Sequence, residues 1–277
     1  MRRIKRLVAT SLLLAVSATA QDTARAPSPV SPSPGARRVP FSVGERLEYD
    51  VKYGFLHVGS ASMEVSKLDT VRGREAWHTV FSVRGGPPGY KVNDRYESWF
   101  DTHTLSSLRY VQDINEGNYH PDRRFEIYPD QRLFVLDSEP PEPTVEHPLD
   151  EGSFLYFLRT ISLDVGKDTS FNNYFKVERN PVRLRVLRRE RIRVPAGEFN
   201  AIVVQPVIIN TKIFSEGGQA LVWLSDDDNR IMLQMKSKLS FGSLNLYLKS
   251  YRPAPPPPAQ QAVKTTPPMS PPAATPP

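Results

Sequence analysis

The stretch LEYDVKY, Leu47 to Tyr53, decides the fold class. Its odd positions, Leu47, Tyr49, Val51 and Tyr53, are apolar or aromatic, and its even positions, Glu48, Asp50 and Lys52, are all charged. Successive side chains of an extended chain point to opposite faces, so a strict period of two describes a strand with one buried and one wet face. The same period recurs. Ala61, Met63 and Val65 alternate with Ser60, Ser62 and Glu64; Trp77, Phe81 and Val83 share a face; Leu244, Leu246 and Leu248 alternate with Ser243, Asn245 and Tyr247. Turn signals separate these runs at Asp69–Gly73, Gly85–Gly89, Pro129-Asp130, Pro195–Gly197, Glu216–Gly218 and Gly242. Short connections between half-buried strands predict a mainly β chain, an antiparallel meander forming a curved sheet, half-barrel or barrel. A membrane barrel would need an apolar outer face, whereas the outward positions here carry Glu, Asp, Lys and Arg.

One segment departs from that period. In DEGSFLYFLRTI, Asp150 to Ile161, the residues Phe154, Leu155, Phe157, Leu158 and Ile161 fall at helical intervals behind two acidic residues suited to a helix start. The expectation is one short amphipathic helix near 150–162.

The chain ends are read by composition. Residues 1–20 combine Arg2, Arg3, Lys5 and Arg6 with an apolar run from Leu7 to Val16 and a small-residue site, Ala18-Thr19-Ala20, the layout of a cleavable signal peptide. Export places the chain in the periplasm or outside the cell. Residues 21–40 and 253–277 are rich in proline and poor in large apolar side chains, which predicts disordered linkers flanking a single β-rich domain over 41–252. No run in the mature chain is long enough for a transmembrane span. The chain has no cysteine, which excludes disulfides, thiol catalysis and thiolate metal sites. Its net charge of +6 falls once the leader is removed, leaving 32 basic against 30 acidic residues. That balance gives no reason to expect nucleic acid as a partner.

No nucleophile elbow, metalloprotease motif, phosphate loop or dinucleotide fingerprint is present, and neither catalytic residues nor a cofactor can be named. His57, His78, His103, His120 and His147 are scattered, without metal-ligand spacing. The acidic run Asp226-Asp227-Asp228 lies between apolar runs and lacks the glycine and distal glutamate of a calcium loop, so it reads as a hairpin turn rather than a metal site. The densest charge pattern is RLRVLRRERIRV, Arg183 to Val194. On one uninterrupted strand, Arg183, Arg185, Arg189, Arg191 and Arg193 would project from a single face, suited to phosphates or carboxylates of an anionic envelope polymer. Acidic neighbours on adjacent strands would neutralise the same row.

Three stretches, VGERLEYDVKYGFLHVGSASMEV (Val43–Val65), VPAGEFNAIVVQP (Val194–Pro206) and ALVWLSDDDNRIMLQM (Ala220–Met235), together resemble the domain-of-unknown-function family 3108 (DUF3108) of exported bacterial proteins. The resemblance implies an antiparallel β-rich exported domain and brings no catalytic residues with it. The functional expectation is a non-enzymatic binding protein for an amphiphile or an envelope partner, with Tyr49, Tyr53, Trp77 and Phe81 as candidates either to line a concave face or simply to fill the core, and Ser138–Pro148 as a lid over that face or an ordinary surface connection. Two alternatives are carried: a carboxylate-dependent hydrolase of envelope polysaccharide using Asp150 or Glu151, and an interaction scaffold using the proline-rich tail.

Overall fold

A computed structural model describes residues 36–86, 89–208, 220–239 and 242–255. The leader, most of the first proline-rich segment and nearly all of the tail lie outside the described residues. Fourteen strands run in chain order: β1 (Arg46–Tyr53), β2 (Leu56–Val71), β3 (Arg74–Gly85), β4 (Val92–Asp101), β5 (Ser107–Asp113), β6 (Asp122–Tyr128), β7 (Leu133–Leu136), β8 (Glu142–Pro143), β9 (Asp168–Phe171), β10 (Val182–Val194), β11 (Gly197–Val207), β12 (Leu221–Ser225), β13 (Met232–Leu239) and β14 (Gly242–Arg252). One helix, α1 (Glu151–Leu158), lies between β8 and β9.

All fourteen strands join one antiparallel sheet in the order β8-β7-β6-β5-β4-β3-β2-β1-β14-β13-β12-β11-β10-β9. The first and last strands are therefore neighbours at its middle, and the two edges belong to consecutive strands, β8 and β9. The sheet is curved and unclosed. Register shifts at 48/49, 51/52, 65/67, 99/100, 186/188 and 223/224 each set two residues against one, which bends a strand and increases its twist.

The alternation read from LEYDVKY is realised. Leu47, Tyr49 and Val51 are buried, and they pair with Met63, Ala61 and Gly59 on β2, Tyr49 and Val51 also with Leu248 and Leu246 on β14. The segment Ser138–Pro148 contributes the edge strand β8, paired with β7 through Phe134↔Glu142. Residues 37–40 already run along the domain: Arg37 N donates to Thr102 O at 2.9 Å, and Val39 packs against the core.

The helix starts where the acidic residues suggested. Asp150 is its N-cap, accepting from Gly152 N and Ser153 N, while Ser153 Oγ accepts from Asp150 N. This reciprocal pairing satisfies donors that a helix start leaves orphaned. The helix ends at Leu158, shorter than expected, and it is not amphipathic: Phe154, Tyr156 and Leu158 are buried, and no residue from 151 to 158 is exposed. A surface helix needs a wet stripe; one lying inside a curved sheet meets apolar side chains on every side. Tyr156 packs edge-on to Phe41 at 4.9 Å and beside Phe100 at 5.7 Å. A second aromatic group, Tyr110, Phe125, Phe134 and Phe175, fills the neighbouring space.

Behind the helix, Arg159 holds a charge cluster in place. Its guanidinium donates to both carboxylate oxygens of Glu45, at 2.6 and 2.9 Å, and to the carbonyls of Pro40 and Asn229. Both side chains are almost wholly buried, and the Phe41 and Tyr156 rings flank the cation. Four separate parts of the chain meet there, including Tyr251 of β14, whose hydroxyl reaches Glu45 at 3.4 Å.

Candidate functional site

The concave side is packed. Tyr49 is 0% exposed and donates its hydroxyl to Met232 O at 3.0 Å. Trp77 is 1% exposed, with its indole 5.4 Å from the Phe41 ring. Phe81 is half-buried against the core, and Tyr53 is half-buried at the end of β1. The expected concave aromatic face is thus mainly core. Inside it is a cavity of about 20 Å³ lined by residues including Met63, Phe81, Tyr96 and Tyr156, room for about one water and far less than an acyl chain needs.

Asp150, one of the two carboxylates considered for hydrolysis, is sealed. It is 0% exposed, and besides its two backbone donors it accepts from Ser98 Oγ at 2.6 Å and Ser107 Oγ at 2.7 Å. Burial outweighs these donors and pushes its pKa up to about 6. The network docks α1 onto β4 and β5. Glu151 accepts from the Tyr174 hydroxyl and lies 3.7 Å from the Arg179 guanidinium. Among the described residues no cleft sets these two carboxyls across from each other, as glycoside hydrolysis requires.

The arginine row lies on one strand, β10, but it is interrupted. The register shift at Leu187 changes the parity of pairing: Arg183 and Arg185 oppose Val207 and Gln205, whereas Arg189, Arg191 and Arg193 oppose Ile202, Asn200 and Glu198. One inserted residue sends the following side chains to the other face, so the five do not form a single row. Each also has a carboxylate partner. Arg183 and Arg185 share Asp168; Arg189 meets Asp226 at 2.9 Å; Arg191 and Arg193 share Glu198. The acidic run forms the β12–β13 turn, where Asp227 Oδ1 accepts from Ser225 Oγ, Asn229 N and Arg230 N. Trp223, just before it, is 4% exposed and donates its indole N–H to Glu190.

A larger concavity lies on the outside. A groove of about 490 Å³ crosses the outer face of β14, β1, β2, β3 and β4. Ser60, Ser62 and Ser82 provide hydroxyls, and Arg46, Arg84, Arg95 and Lys249 provide four cations against the carboxylates Glu48 and Glu64. Arg46 bonds both of those carboxylates, and Arg95 holds Glu97 at 2.9 Å. A hydrogen bond from His78, helped by Arg95, keeps the Glu97 pKa down at about 2, so it is ionised. Arg84 is exposed and has no carboxylate partner among the described residues. The lining is positive and rich in donors, suited to an oxyanion flanked by hydroxyls. The sequence signal for this groove was the small polar residues at successive outward positions of β2, Ser60 and Ser62, facing Ser82 and Arg84 on β3. They were legible as an outer face but carried no charge row to single them out.

Comparison with known proteins identifies relatives by sequence and by shape. A family model described as "Protein of unknown function (DUF3108)" matches residues 48–249. No curated protein matches the chain. Among solved structures, a β-barrel-like protein of domain-of-unknown-function family DUF1849 from Brucella abortus superposes with a TM-score of 0.55 at 11% identity, covering 79% of this chain and 100% of that one. A candidate lipoprotein from Parabacteroides distasonis gives a TM-score of 0.33 at 11% identity over 77% of this chain and 98% of its own. A candidate exported protein with a YmcC-like fold from Bacteroides fragilis gives 0.36 at 10% identity over 78% and 99%. At such identities only the first likeness bears on the present chain, and it bears on fold alone.

Proposed function

The chain belongs to the DUF3108 family, and on that footing we propose that it is an exported, non-enzymatic binding protein of the cell envelope that uses its outer groove rather than its interior. The ligand class is an anionic envelope polymer, one presenting phosphate or carboxylate groups among hydroxyls. One contrast carries this reading: the cavity beside α1 holds about 20 Å³ and the outer groove about 490 Å³. An amphiphile carrier needs a dry pocket, which the aromatic core and α1 fill. A polyanion needs only a donor-rich surface, and Arg84 and Arg95 with the serines of β2 and β3 supply one.

The test is a titration of the chain beginning at Gln21 with phosphorylated lipopolysaccharide core oligosaccharide and with its dephosphorylated form. Binding should need the phosphates and weaken with salt. The double variant Arg84→Gln/Arg95→Gln should lower affinity by about tenfold or more, the effect of losing charge-assisted hydrogen bonds of roughly 1.5–3 kcal/mol. Equal affinity in the variant would reject the groove. A stoichiometric lipid on protein purified from its own envelope, seen by native mass spectrometry, would return the ligand to the interior.

A further inference from the structure

The three exposed aromatic residues among the described residues, Phe55, Tyr90 and Tyr119, all stand at one end of the sheet. The topology puts them there, because in a meander alternate connections fall at the same end. Phe55 is in the β1–β2 turn, Tyr90 in the β3–β4 loop and Tyr119 in the β5–β6 loop. Phe55 is 89% exposed, and Leu56 beside it 51%. The opposite end turns through Arg72-Gly73, His103-Thr104, Asp130-Gln131 and Asp226–Asn229, with no exposed Phe, Tyr or Trp among the described residues. Single exposed apolar residues are ordinary on a soluble protein, but this segregation is not.

The rim is also fixed in shape. Gly86 N donates to Val58 O at 2.8 Å, Asn93 N to Asn115 O at 2.9 Å and Gly117 N to Lys91 O at 2.8 Å, tying the three loops together by backbone hydrogen bonds. Gly54, at φ +58°, makes the two-residue turn that places Phe55 at its tip. Tyr90 lies over Gly117, where an added Cβ would come within 2.7 Å of the ring. Lys52 and Lys91 stand at the same end, and neither has a carboxylate partner among the described residues.

We propose that this rim docks on an anionic phospholipid surface, with Phe55 and Leu56 entering the boundary between headgroups and acyl chains. Tyr90 and Tyr119 then sit at headgroup level, where an amphipathic ring is favoured, and Lys52 and Lys91 meet lipid phosphates. Exposed tips on separate loops suit a planar, deformable layer, while a protein partner would need a pocket for each tip. The contact is peripheral, adding apolar burial to electrostatic attraction. It rests on residues outside the groove and stands independently of that reading.

Sedimentation of the chain beginning at Gln21 with lipid vesicles tests it, the apolar leader being omitted because it would bind by itself. The chain should sediment with phosphatidylcholine vesicles containing phosphatidylglycerol, and less with phosphatidylcholine alone. Phe55→Ser with Leu56→Ser should weaken binding by about tenfold or more, and Lys52→Gln with Lys91→Gln should erase the preference for the anionic lipid. Both pairs should melt at the temperature of the parent, and Arg95→Gln should bind vesicles normally. The emission of a Phe55→Trp variant should shift to the blue when anionic vesicles are added. A parent chain that ignores both vesicles, a serine pair that binds as well as the parent, or an unmoved emission maximum would overturn the proposal.

Discussion

Three buried titratable side chains make the sharpest predictions at the scale of single residues. Arg159 and Glu45 are both almost without solvent, and each satisfies the other. Replacing Arg159 with Ala leaves a carboxylate buried and unpaired, so unfolding in urea should show a loss of about 3–5 kcal/mol. Asp150 acts in the opposite sense. Its folded pKa of about 6 stands above its ordinary value of 3.8, so between those pH values the folded chain holds a proton that the unfolded chain has released. Stability from this group is therefore full below about pH 4 and is lost as pH rises through 6. The loss amounts to roughly 3 kcal/mol by the linkage relation. Urea midpoints of the parent and of Asp150→Asn across pH 4–7 should diverge in slope within that window, and parallel curves would refute the assignment. The ion pair was not legible in advance, since Glu45 and Arg159 are 114 positions apart, and the acidic helix start at Asp150 gave no sign of how deep it would lie.

At the scale of elements, alternation was the reliable guide because its cause is local: an extended chain with one wet face must be written with a period of two. β1, β2 and β14 were readable for that reason. α1 was found but misjudged, since Phe154, Leu155 and Phe157 keep helical spacing whether or not a wet stripe exists, and only the enclosing sheet decides that. The arginine row failed as a single face for a similar reason: Leu187 gives no sequence sign that the register slips beside it. Glycines mark a constraint that composition hides. Gly59 and Gly85 face each other where β2 meets β3; a Cβ on Gly59 would lie 2.1 Å from Arg84 O, and one on Gly85 2.1 Å from Val58 O. Backbone cannot yield as a side chain can, so Gly59→Ala should destabilise the fold by roughly 1–3 kcal/mol, as overpacking does. A shift in thermal or urea midpoint checks this.

At the scale of the molecule, the fold class and its antiparallel order were legible, while a filled interior was one of two readings that the sequence left open. Sequence gives the number of inward aromatic residues but not the radius of the sheet they must fill; that depends on bulges and on the helix packed against β3 and β4. The same limit hid the groove, which exists because five neighbouring strands present short or charged side chains on one outer face. The pairing of β1 with β14 has a consequence for how the protein comes into being. Arg46 and Arg252 are partners, so the central seam closes over nearly the whole domain, a contact of very high order that is slow to form. A chain made from its amino end presents β1 first and β14 last. Until the final strand is made, the β14-facing edge of β1 stays open to any passing strand.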